Sequence, residues 1–288
     1  MTSDVVRQHD QPGMLGNYAR AAVGMLPLGG GATAVPDRTL TLEGLRVDVA
    51  NLAAYNQVCG LRLGDTLPLT YGFVLAFPSV MKLLVARDFP LPAMGMVHVQ
   101  NRIESLRPVS VIEPLDLRVH AENLREHRKG TQVDLVSELN VGRELVWRQT
   151  STFLKLGGGP SEAKEKAPVE EPVLPAPVTT LSVDANRIHR YAAVSGDRNP
   201  IHMSNLGAKA FGFPRTIAHG MWSAAAALGA LEGRLPDAVD YDVRFGKPVL
   251  LPAKVNEYVT GDGDGNWEVS LRHPKKLYPH LTATIAAR

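Results

Sequence analysis

The chain has 288 residues, enough for two domains of about 140 residues each and for a sizeable buried core. Hydrophobic residues at 44% and charged residues at 21% exclude wholesale disorder, and 31 Lys+Arg against 29 Asp+Glu leaves no concentrated basic face, so nucleic acid is not an expected partner. A single cysteine, Cys59, excludes an internal disulfide framework and a cysteine-based zinc site. No apolar run reaches the roughly 18 residues of a membrane span, and residues 1–11 lack the apolar stretch of a secretory signal. No membrane is expected, and the default location is cytoplasmic.

A strand is predicted over 39–47, followed by a short helix. Asp48 stands at its N-cap, Leu52, Tyr55, Asn56 and Cys59 recur at i, i+3, i+4 and i+7, and Gly60 is placed to stop it. A longer helical pattern spans 77–87. The period then drops to two, with strands expected at 97–106, 115–124, 131–141 and 144–156. Residues 157–178 are rich in glycine, proline and charge and lack an aromatic, so they cannot bury enough apolar area to offset their ordering entropy. They read as an exposed linker between a unit at 1–156 and a second at 179–288.

The second unit repeats the first. Val183-Asp184, Tyr191, Val194 and Gly196 match Val47-Asp48, Tyr55, Val58 and Gly60 at a constant offset of 136. Ile188, Tyr191, Ala192 and Ser195 form the corresponding helical face. A strand at 179–183 precedes that helix, an alanine-rich helix is expected at 220–232, and strands follow at 241–245, 254–260, 267–272 and 281–286. Consecutive strands joined by short turns make an antiparallel sheet, and small alanine side chains let a central helix lie close against it. The fold class is therefore α+β, a tandem (double) hot-dog in which each half is an antiparallel sheet wrapped around a central helix. The halves should pack as an intrachain pseudo-dimer.

The densest polar cluster runs from Tyr191 to His202. Gly196 should end the helix, and Asn199-Pro200 reads as a turn, which places Asp197 and His202 on one loop. A carboxylate and an imidazole facing one cavity can divide general acid and base work. Asn199 could hold the loop or orient His202. The bland alternative is that Asp197 and Asn199 make turn bonds and His202 is a partly exposed histidine. A second cluster, 218–221, opens the alanine-rich helix. The N–H of Gly220, unshielded by a side chain, could serve an oxyanion; alternatively Gly220 serves close packing and His219 caps the turn.

These residues carry a resemblance. G-D-x-N-P-[apolar]-H at 196–202 and A-H-G-M at 218–221 resemble the two motifs of the MaoC-like, (R)-specific enoyl-thioester hydratases, also called hydratase 2, over about residues 180–286. The degenerate first half is most similar to the double hot-dog 3-hydroxyacyl-thioester dehydratases of fatty-acid elongation. The resemblance implies a hydro-lyase that reversibly hydrates trans-2-enoyl thioesters to (R)-3-hydroxyacyl thioesters on coenzyme A or acyl carrier protein. It implies Asp197 and His202 as the catalytic pair, Asn199 as the supporting amide and Gly220 as the oxyanion donor. His219 and Met221 become candidate substrate contacts, and Lys209 and Arg215 candidate contacts to the carrier's phosphates. The alternatives are a hydratase of a short or branched acyl-CoA outside fatty-acid synthesis, and a non-catalytic acyl-binding protein.

In the first half, Asp65 can be laid over Asp197, but Leu67 then stands for Asn199 and Thr70 for His202. One active site per chain is expected, with the first half receiving the acyl chain near Phe77, Met81 and Leu84. Cys59 reads as packing. The histidines show no H-x-x-x-H pair, so no metal is expected; no cofactor is expected beyond the coenzyme A or acyl carrier protein that carries the substrate. The resemblance leaves room for a further homodimer.

Overall fold

The computed structural model describes residues 4–8, 10–23, 33–157 and 174–288. Residues 158–173, most of the expected linker, lie outside the described residues.

The repeat predicted from sequence appears as two equivalent capped helices. In α2 (Val49–Cys59) the Asp48 carboxylate accepts from the N–H groups of Ala50 and Asn51, and Gly60 takes the left-handed conformation at φ 78°. In α4 (Ala185–Ser195) Asp184 accepts from Arg187 N–H, and Gly196 stops the helix at φ 76°. Both helices bury the faces expected of them: Leu52, Tyr55, Asn56 and Cys59 in α2, and Ile188, Tyr191, Ala192 and Ser195 in α4. They pack on each other, with the Tyr55 and Tyr191 rings 6.1 Å apart and Asn51 Nδ2 donating to Val194 O.

Before α2 the chain forms β1 (Asp4–Gln8), α1 (Met14–Val23) and β2 (Arg38–Leu45). β1 and α1 were not anticipated, because five residues and ten residues outside the repeat carry little periodic signal. After α2 come α3 (Tyr71–Leu84), β3 (Met96–Ser105), β4 (Leu115–His127), β5 (Gly130–Val141) and β6 (Glu144–Leu156). The second half supplies β7 (Thr179–Val183), α4, α5 (Pro200–Met203), α6 (Asn205–Ala210), α7 (Gly220–Ala226), β8 (Val239–Phe245), β9 (Ala253–Gly261), β10 (Trp267–Arg272) and β11 (Pro279–Ala287). Each predicted strand is present, with ends within a few residues.

Two helix expectations are corrected. The pattern placed at 77–87 begins earlier and ends earlier, as α3, with Pro78 inside it. Here, two of the neighbouring carbonyls find side-chain partners: Gln11 Nε2 donates to Leu75 O and Asn17 Nδ2 to Pro78 O. The helix expected at 220–232 stops at Ala226 and passes into a single 3₁₀ turn, Gly229–Leu231.

One eleven-stranded sheet, ordered β1-β2-β4-β5-β6-β3-β8-β11-β10-β9-β7, carries both halves. Its centre is the antiparallel pair β3–β8, with Gln100 opposite Arg244 and Ser105 opposite Val239. The two halves are thus joined through backbone hydrogen bonds as well as through α2 and α4. Every residue of α3 except Lys82 is buried, as is every residue of α7 except Gly220. Ala224 and Ala225 are fully buried, and the Tyr241 hydroxyl on β8 donates to Ala224 O at 2.8 Å. This is the tandem hot-dog arrangement.

Candidate active site

A cleft of about 1100 Å³, counting its solvent-open part, draws its wall from both halves. Phe73, Phe77, Met81 and Leu84 of α3 form its apolar side, and Asp197, His202, His219 and Gly220 its polar side.

The turn after α4 presents the polar groups. Asp197 N–H donates to Ser195 Oγ at 3.2 Å, and Asp197 Oδ1 accepts from Asn199 N–H at 3.2 Å. Asn199 in turn caps α5, accepting from Ile201 N–H. The placement of both Asp197 and His202 on a loop is corrected here: His202 lies within α5. Asn199-Pro200 is an N-cap followed by a proline at the first helical position, so beyond the end of α4 it opens a new short helix. This single turn of helix carries His202 inward, and at 7% exposure it is not the partly exposed histidine of the bland alternative.

Hydrogen bonds fix the tautomers. His202 Nδ1 lies 2.9 Å from Ile217 O; a carbonyl only accepts, so Nδ1 carries the proton and Nε2 keeps its lone pair. Burial pushes this imidazole below its ordinary value, against the opposing charge of Asp197, and so keeps it neutral. His219 Nε2 donates to Asp197 O at 2.8 Å and lies 3.9 Å from Asp197 Oδ2. Its Nδ1 is buried without a partner. Burial, and then the neighbouring His202, push His219 well below the usual value. The two rings stack at 3.7 Å with 30° between their planes.

Gly220 follows at the first position of α7. Its N–H has no intrahelical acceptor, and a β-carbon there would come within 3.1 Å of the Phe245 ring. Met221 is buried in the same wall.

Comparison with known proteins settles the lineage. The family described as MaoC like domain matches residues 164–279. The 3-hydroxyacyl-thioester dehydratase X of Mycobacterium tuberculosis is 51% identical over 280 residues, 96% of this chain and 98% of that protein. The chain belongs to the MaoC-like dehydratase family. The crystal structure of HtdX of Mycobacterium tuberculosis superposes with a TM-score of 0.77 at 50% identity, covering 86% of this chain and 99% of that one. A conserved hypothetical protein of the same organism, described as a double hotdog fold, superposes with a TM-score of 0.51 at 13% identity and 84% and 92% coverage, a likeness of fold alone.

Within this MaoC-like site the sequence-predicted residues Asp197, Asn199, His202, His219, Gly220 and Met221 all line the one cleft. Lys209 and Arg215 do not: both are exposed and stand outside its wall. Among the described residues the Lys or Arg on that wall is Lys247, at an exposed rim, its ammonium 4.2 Å from the centre of the Tyr278 ring. Asp65 is exposed, and Thr70 is buried against the Tyr55 hydroxyl at 2.8 Å, so these two positions do not form a comparable pair. Cys59 is buried, as the packing reading had it.

The expectation of no metal rested on the absence of a sequence pair. The fold nevertheless brings Asp197, His202 and His219 together, with one donor atom from each within 4.8 Å of the others, a set a divalent transition metal accepts. The stack leaves the two ring planes close to parallel, whereas a shared ion needs nitrogens that converge. Tyr18 of α1 and His98 of β3 also line the cleft, and neither was singled out from sequence. Nothing in their local pattern marks them: α1 lies outside the repeat, and His98 reads as one more strand position.

Proposed function

We propose that this protein is a hydro-lyase that interconverts (R)-3-hydroxyacyl and trans-2-enoyl thioesters. What supports this reading, beside the family and its 3-hydroxyacyl-thioester dehydratase relative, is one observation. A carboxylate, an imidazole nitrogen with a free lone pair and an unshielded backbone N–H open on a single apolar cleft.

Dehydration must remove a weakly acidic hydrogen from C2 and expel hydroxide from C3. The Gly220 N–H receives the thioester oxygen as it gains negative charge, a contribution typically worth about 3 kcal/mol. The pair formed by Asp197 and His202 takes the C2 proton and delivers a proton to the departing C3 oxygen, which leaves as water. In the reverse direction the same pair holds that water, its oxygen bonding to C3 while a proton ends on C2. Asp197 from the turn and His202 from α5 face the one cleft, so addition takes place on one face of the double bond, and the 3R outcome is that of the family the chain resembles. Asn199 keeps the pair in register by capping the helix that carries His202.

The acyl chain lies along Phe77, Met81 and Leu84, which gives the first half its role as acyl-receiving unit and the 179–288 unit its role as catalytic one. The substrate arrives as a thioester of coenzyme A or acyl carrier protein. Its phosphate meets the rim at Lys247, beside the exposed Lys275 and Lys276 of the turn that ends at Tyr278, rather than Lys209 or Arg215.

The test is turnover of crotonyl-CoA and longer trans-2-enoyl-CoAs by the purified protein, followed as loss of enoyl absorbance. Asp197→Asn and His202→Gln are each expected to lower the rate by at least about 10²-fold without unfolding the protein. Asp65→Asn is the control and keeps turnover. Ligand binding without turnover in the wild type would leave an acyl-binding protein instead.

A further inference from the structure

The segment 4–23 lies outside both the repeat and the matched family region, yet its helix α1 reaches the catalytic turn. It has a built seat on the first half. β1 runs parallel to β2, Gln8 Nε2 donates to Ser79 Oγ at 3.0 Å, and the side chains of Gln11 and Asn17 take the Leu75 and Pro78 carbonyls of α3. The segment thus docks beside the proline of α3, on the carbonyls of Leu75 and of Pro78 itself.

From that seat α1 directs two side chains one turn apart onto the second half. Met14 Cγ lies 3.4 Å from where a β-carbon on Gly196 would stand. Tyr18 reaches further: its hydroxyl is 3.1 Å from Gly196 O and 3.4 Å from Asp197 Oδ1, and it accepts the N–H of Arg198. One phenol therefore touches three consecutive residues, Asp197 among them, and also lines the cleft.

We propose that Tyr18 is a positioning residue for the dehydratase site: seated on α3 by α1, it clamps the 196–198 turn and fixes the direction in which the Asp197 carboxylate faces the substrate. Burial and the charge of Asp197 push the phenol well above its usual value, so it keeps its proton and remains a donor at any working pH. Because the clamp starts on the helix that forms the apolar wall, it also ties the position of that wall to the position of the carboxylate. The inference rests on the hydro-lyase reading.

The experiment is Tyr18→Phe in the full chain, assayed with crotonyl-CoA and with a longer trans-2-enoyl-CoA. Removing one hydrogen bond to a charged group should lower kcat by roughly tenfold or more. KM should stay within about twofold, and the fold-loss should be equal for the two chain lengths, because the hydroxyl acts on the turn and not on the acyl chain. Asn17→Ala, which loosens the seat of α1 but leaves the phenol and the turn intact, should lower kcat in the same pattern and by less. An unchanged kcat in Tyr18→Phe overturns the proposal. So does a loss confined to KM or graded with chain length, either of which would make Tyr18 a substrate contact. A wild type without turnover overturns the hydro-lyase reading itself, whereas an active wild type matched by an equally active Tyr18→Phe overturns the clamp alone.

Discussion

Gly220 shows how little room a single residue has at the polar side of the cleft. A β-carbon on it would meet Phe245 Cε1, Cζ and Cδ1 at 3.1, 3.2 and 3.3 Å, closer than such contacts ordinarily allow, and would also stand beside the N–H proposed to receive the thioester oxygen. Gly220→Ala is therefore expected to lower kcat by about 10–10²-fold, part of the loss of an oxyanion donor, since Phe245 must shift and the N–H is partly shielded. A variant with native kcat would remove Gly220 from the mechanism. At this scale the sequence was legible where chemistry and local geometry coincide. Asp197, Asn199 and His202 sit within six residues, so their spacing alone brings them together. Tyr18 was not legible in the same way, since it reaches Asp197 across 179 positions; His219 was singled out, but its stack on His202 and its bond to the Asp197 carbonyl are partners that no spacing reveals.

Among the elements, α2 and α4 could be read almost residue by residue, because their caps and buried faces are local properties: an Asp before, a Gly after and four apolar or small side chains at helical spacing between. α3 could not. A helix buried on all sides has no polar stripe to set its phase, and Pro78 falsely marks a beginning. Its true first turn is defined by a contact far away in sequence. Gly72 faces the Trp147 ring of β6 so closely that a β-carbon would lie 2.5 Å from Cζ2, and Trp147 Nε1 is held by Leu69 O at 2.9 Å. The indole cannot swing aside without losing that bond. Gly72→Ala should accordingly destabilise the protein by about 1–3 kcal/mol in denaturant unfolding, despite the better helix propensity of alanine. A neutral or stabilising result would mean that the ring relaxes freely.

For the molecule as a whole, burial of imidazoles sets the response to acid. His98, His202, His219 and His280 are all pushed below the ordinary histidine value by burial, His98 down to about 3. The unfolded chain takes up these protons as pH falls through about 6.5 and the native state does not, so their stabilisation is present above that pH and is lost below it. Glu257 acts in the opposite sense. Burial pushes its carboxyl up to about 7, so the native state gains a proton before the unfolded chain does. Four imidazoles outweigh one carboxyl. The melting temperature measured by calorimetry should fall between pH 7 and pH 5, and Glu257→Gln should steepen that fall; a flat or rising profile would show that the imidazoles charge without cost.

The pairing of β3 with β8 has a consequence for assembly. Six residues on each strand, 100–105 and 239–244, satisfy each other's backbone groups at the centre of the sheet. If the halves part along this line, both strands become raw margins of similar length and matching register, long enough to recruit the same strand from a neighbouring chain. Domain exchange between copies is then the natural product of partial opening, and whatever keeps the two lobes closed also keeps the protein from polymerising.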